Sequence, residues 1–174
     1  SHLLRYGQPD SNRVADPKWL SVLEKTMASK GVAVSAARIE LATKLDQLAG
    51  QSAHEGIFPG ASINVTGTLE NWLDCAPALE AEDRMKKSLE NNRQGDRENG
   101  SAQIGPHRSD MVVCHLSTGQ IAKLCSTGEQ KALLISLILA NARLGAAQKG
   151  SLPLLLLDEV AAHLDEARRE ALFA

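Results

Sequence analysis

Cys125-Ser126-Thr127-Gly128-Glu129-Gln130-Lys131, followed downstream by Leu154-Leu155-Leu156-Leu157-Asp158-Glu159, is the stretch whose reading decides the fold. After Ser126 the apolar residues Leu133, Leu134, Ile135, Leu137, Ile138 and Leu139 predict a buried helix running to about Leu144. Leu152 to Leu157 predicts a parallel-type strand buried on both faces, ending at two adjacent carboxylates. A helix N-terminus reached through glycine offers free backbone N–H groups to an anion. A buried strand that ends in acids can place a hydrated magnesium ion and a base over that anion. The two pieces together imply a site for a nucleoside triphosphate.

The turn also has a purely structural explanation. Ser126-x-x-Glu129 is a capping box, in which the hydroxyl and the carboxylate satisfy exposed N–H groups. Capping does not explain Gly128, which costs roughly 1 kcal/mol against alanine inside a helix unless a ligand must come close. Leu116-Ser117-Thr118-Gly119-Gln120 spells a similar turn, but Ile121 to Leu124 is too short and apolar to be the helix that should follow. Met111–Leu116 and Ile121–Cys125 instead predict a β-hairpin around it.

Ser126 to Lys131 resembles the signature motif of ABC-type ATPases, Leu154 to Glu159 their Walker B strand, and Leu164-Asp165 the D-loop that follows. Gly105-Pro106-His107-Arg108-Ser109-Asp110 upstream resembles an element of the RecF family within that superfamily, and the resemblance covers roughly residues 17 to 174. It implies an α/β fold: the C-terminal part of an ABC-type ATPase head, a mixed sheet with helices, carrying a helical arm. Residues 1–57 would be the arm or lid segment with its linker, and 58–174 the head portion. By the same resemblance Asp158 orders Mg²⁺ through water and Glu159 is the catalytic residue polarising the attacking water. Ser126, Thr127, Gly128, Glu129 and Gln130 would bind the ATP of a second copy in trans. His163, beside the D-loop, would be a packing or interface residue. The implied setting is recombinational gap repair and replication restart: DNA junctions, RecR- and RecO-type proteins, an ATP-dependent homodimer and ATP with Mg²⁺. No Gly-x-x-x-x-Gly-Lys-[Ser/Thr] phosphate loop occurs, so a fragment lacking that lobe is expected, inactive alone.

Upstream, Asp16-Pro17 predicts a helix start, and the helical pattern runs to about Gly50. Leu20, Met27, Val34, Leu41 and Leu48 fall seven apart, with Leu23 and Leu45 between them and Lys30 and Ala37 weakening the seam. Gly31 marks a possible break. Ala61 to Leu69 alternates as a half-buried strand, with Gly67 a candidate bulge. A helical stretch from Trp72 is interrupted at Pro77 and resumes to about Asn92. Asn91 to Ser101 reads as a loop. Around it Arg84, Lys86, Lys87, Arg93, Arg97 and Arg108 outnumber Glu90, Asp96 and Glu98. Such a run is either a solvated face or a patch tracking DNA phosphates.

Composition narrows the classes. Hydrophobic residues are 43% and aromatics 3%, so aliphatic side chains must build the core. A net charge of −2 leaves any DNA contact to a local patch. Three cysteines without Cys-x-x-Cys spacing fit a reduced, cytoplasmic protein, and no apolar run reaches the roughly 20 residues of a membrane span. The competing readings are a head of another kind (transporter or chromosome-structuring) and a non-enzymatic helical interaction module. The hairpin argues against a transporter subunit, and the short helical arm against a long coiled-coil protein.

Overall fold

Asp16 starts the first helix as expected: its carboxylate accepts the Lys18 N–H at 2.9 Å, and proline fills the first helical position. In the computed structural model, which describes residues 16–52, 57–151, 153–158, 160 and 164–173, that helix (α1) runs unbroken over Pro17–Ser52. It is followed by β1 (Ala61–Thr66), α2 (Thr68–Cys75), α3 (Ala78–Asn91), α4 (Arg93–Asn99), β2 (Asp110–His115), α5 (Thr127–Lys149) and α6 (Glu166–Phe173). Short 3₁₀ turns lie at Pro106–Arg108 and Ala122–Leu124. β1 and β2 form a two-stranded sheet. The Leu116 N–H donates to the Gly60 carbonyl at 2.9 Å, so the end of β2 lies beside the start of β1, the antiparallel arrangement.

Contacts group the chain into two compact units. One takes the chain up to Ile39 and Val65–Asp110; the other takes Glu40–Asn64 and everything from Met111. The core of the first joins Ala28 and Val32 of α1, Leu69 of α2, and Ala81, Met85 and Leu89 of α3. Gly31 does not break α1. It is buried, and a Cβ there would lie 2.9 Å from Met85 Cε, so the glycine admits α3 against α1. Glu24, itself buried, receives two bonds of 2.6 Å from the Arg93 guanidinium, a bidentate clasp of α4 onto α1. The second unit packs Phe58, Ile135 and Leu164 together, with Leu139, Val160, Ala171 and Leu172 around them.

The α/β class holds: helices around one small sheet. Several local expectations do not. The seam residues Met27, Val34 and Leu41 are exposed, while the buried line of α1 is Glu24, Ala28, Val32, Ser35, Ala42 and Ala49. β1 stops at Thr66; Gly67 is the extended residue before α2, not a bulge, and Leu69 is helical. Residues 93–99 are helix rather than loop, because Asp96 turns inward to accept the Gln103 N–H at 2.9 Å and Gly100 closes the end at φ 69°. The second hairpin arm reduces to a bridge between Cys114 and Ile121 before the 3₁₀ turn. α5 continues past Leu144 to Lys149, where Gly150 caps it in the left-handed conformation, and Leu134 on it is exposed.

The largest departure is at 153–157, where no strand forms and Leu154 and Leu156 are 87% and 89% exposed. A strand exists through its ladder partners, and β1 and β2 pair with each other alone. Leu154, Leu155 and Leu156, suited to burial on both faces, therefore stand exposed, and Leu157 is half-buried.

Candidate functional site

At the head of α5 the capping box is present in full. Ser126 Oγ accepts the Glu129 N–H at 3.4 Å and donates to Glu129 Oε2 at 2.7 Å, while the Ser126 N–H donates to the same carboxylate at 2.8 Å. The hydroxyl and then the amide of Ser126 hold the Glu129 carboxyl below its usual range, with smaller help from His115 and Arg168. Gln130 reaches back, donating to the Cys125 carbonyl at 2.9 Å and the Lys123 carbonyl at 3.3 Å. Three of the five signature side chains thus serve the turn itself. Thr127 and Gly128 face solvent, and a Cβ on Gly128 would meet nothing within 4 Å. Among the described residues, no neighbour packs close enough to require that glycine. The preceding Cys125 is buried, and burial raises its thiol pKa, with Glu129 and Cys114 adding to the shift.

The strand-end residues are less gathered. Asp158 is exposed, and Glu159 and His163 lie outside the described residues. Among the described residues no group of three or more His, Cys, Asp or Glu side chains could hold a metal ion. Magnesium keeps several waters and takes one or two carboxylates with phosphate oxygens, so a single accessible Asp158 fits the water-mediated role and no fuller cage. Leu164 is buried in the core of the second unit, and Asp165 caps α6: its Oδ1 accepts the Arg168 N–H at 2.8 Å.

The basic run divides by partner. Arg84 pairs with Glu80 at 2.6 Å, Lys86 with Glu90 at 3.7 Å, and Arg93 is taken by Glu24. Lys87 and Arg97 are exposed. Arg108 donates to the Ala102 carbonyl at 3.4 Å and Ser101 Oγ at 3.3 Å, and His107 Nε2 donates to Ala102 at 2.8 Å. Arg38 donates to the Pro106 carbonyl, and Ser109 donates to the buried Glu70 at 2.8 Å, so the Gly-Pro-His-Arg turn is pinned from two sides.

Sequence reasoning missed one cluster. Ile57, Phe58, Pro59, Gly60, His115, Leu116, Ser117 and Arg168 line a cavity of about 380 Å³ in the second unit. His115 Nδ1 and Ser117 Oγ lie 3.1 Å apart there. The pairing of Arg168 with Asp165 was readable as an i, i+3 pair; its bond to the Ile57 carbonyl, 111 residues away, was not.

Comparison with known proteins decides what carries these motifs. No family model matches the chain. The DNA replication and repair protein RecF of Mesorhizobium japonicum is 46% identical over 159 residues, which is 91% of this chain. The RecF of Rhizobium meliloti is 47% identical over 160 residues. The chain belongs to the RecF family. It spans 42% of the length of each of those two relatives. The solved structure of the recombination mediator protein RecF-ATP in the RecFOR pathway covers 98% of this RecF-family chain at a TM-score of 0.77 and 20% identity, and 44% of the solved chain is matched. The RecF-ATPrS structure matches at 0.74 over 88% of the chain. At such identities these two likenesses establish the fold. No helix among the described residues is long and apolar enough to cross a membrane.

Proposed function

We propose that this chain is the signature-bearing portion of a RecF-type ATPase that acts on DNA in recombinational gap repair. The head of α5 on one copy would close the ATP site of another, making ATP the ligand of a homodimer. The observation that carries this reading is Gly128: an exposed glycine in the first turn of a capped helix, unneeded by its own chain and open to an approaching phosphate. The relatives named as DNA replication and repair proteins, and the ATP-bearing fold neighbour, support it.

In this reading Ser126, Thr127, Gly128, Glu129 and Gln130 present the trans phosphate site. Asp158 orders Mg²⁺ through water, Glu159 polarises the attacking water, and Leu164-Asp165 forms the D-loop. When bound, the ion would neutralise phosphate charge. This chain's own part is to orient the phosphate with backbone N–H groups and hold a base nearby. Residues 1–57 would serve as arm or lid and 58–174 as head. DNA junctions would be met through Arg84, Lys86, Lys87, Arg97 and Arg108, with Arg93 holding α4 in place. RecR- and RecO-type proteins would be partners, in the cytoplasm.

In a full-length protein containing this chain, Glu159→Gln should slow ATP hydrolysis on the order of 10²-fold while leaving ATP binding intact, and dimer should accumulate. Single-turnover hydrolysis alongside gel filtration checks both. Unchanged turnover would remove Glu159 from the catalytic role.

A further inference from the structure

Arg168 has more to do than a surface arginine needs. From the first turn of α6 its Nε donates to the Ile57 carbonyl at 3.2 Å, and its Nη1 lies 3.4 Å from Asp165 Oδ2. Asp165 in turn accepts the Arg168 backbone N–H, so acid and base lock each other across one turn. The guanidinium lines the cavity that His115 and Ser117 share. Two separate pieces meet at this side chain, the segment entering β1 and the acid that caps α6, and both are tied to α5 by the core cluster of Phe58, Leu164 and Ile135.

We propose that Arg168 is a positioning residue that clasps Asp165 to the Ile57–Phe58 segment and holds the D-loop and signature turn in one fixed relation, the relation a second copy's nucleotide must meet. This rests on the trans-ATP reading for its consequence, but the clasp itself is a property of this chain. A guanidinium suits the task because its planar fork can serve a carbonyl and a carboxylate at once, which a lysine ammonium cannot do with fixed geometry.

The test uses Arg168→Met and Arg168→Lys. Amide protection at Ile57 and Phe58 in the purified chain reads the first consequence. Arg168→Met should lower it, and Arg168→Lys should lower it too, because an ammonium cannot hold the Ile57 carbonyl and the Asp165 carboxylate together in fixed geometry. In the full-length protein, ATP-driven dimerisation should weaken about tenfold or more in Arg168→Met, the size expected for losing a charge-assisted hydrogen bond. Recovery in Arg168→Lys should be partial. Unchanged protection at Ile57 and Phe58, or wild-type dimerisation by Arg168→Met, would overturn the clasp. If Arg168→Met fails to fold, Arg168→Lys carries the decision: wild-type dimerisation despite the lost bond overturns the clasp. Should wild-type full-length protein fail to dimerise with ATP, the functional reading falls, and the protection at Ile57 and Phe58 still judges the clasp.

Discussion

Ser126 and Glu129 show how far single residues could be read in advance. The capping box was legible because its partners are three apart, and every bond it needs is local. The position of Gly128 was legible as an anomaly for the same reason. Arg168 was not, because its decisive acceptor is the carbonyl of Ile57. The lowered carboxyl of Glu129 carries a pH consequence. Its folded-state pKa lies below the ordinary glutamate value, so its stabilisation of the turn is fully present above that ordinary value and is lost as pH falls through the folded pKa. Amide protection at the head of α5, taken relative to the intrinsic exchange rate at each pH, should therefore fall in acid, below the ordinary glutamate range, and Glu129→Gln should remove that pH dependence. Equal acid sensitivity in the variant would place the effect on another group.

Among elements, helices with a local signal were readable and pieces that depend on distant partners were not. α1 and α5 follow from their apolar patterns and their start signals, and α3 from the restart after Pro77. α4 was missed because a polar, glycine-containing run gives no apolar period; Asp96 and Gly100 secure it through bonds and backbone geometry instead. The line of α1 that faces inward was also missed, since Ala28, Gly31 and Val32 rather than the large seam residues pack against α3. Leucine at Gly31 makes the consequence measurable. Gly31→Leu drives a side chain into Met85, and overpacking of this kind should destabilise the chain by about 1–3 kcal/mol despite the better helix propensity. Urea unfolding of both proteins checks it; equal midpoints would mean that α1 and α3 separate freely.

At the scale of the whole molecule, the uncovered leucines at 154 and 156 explain why the strand was legible yet absent. The sequence carries the burial pattern of a parallel strand, but strand structure is a property of neighbours, and the described sheet offers none there. The proposed function has the same character: the turn is complete as a cap, and the trans reading asks a second copy to complete it as a site. Gly128→Asp separates the two roles. An aspartate in the first turn suits the helix dipole, and a Cβ there meets nothing, so folding should be unharmed or slightly favoured. Against a triphosphate the same carboxylate is a like charge in a partly dry cleft, which costs several kcal/mol at an effective dielectric of about 20. The deciding measurement is sedimentation velocity of the full-length Gly128→Asp protein with ATP and Mg²⁺, beside its thermal melt. An unchanged or raised melting temperature with no ATP-induced dimer is expected. A dimer formed as readily as in wild type would contradict the trans role of the signature turn.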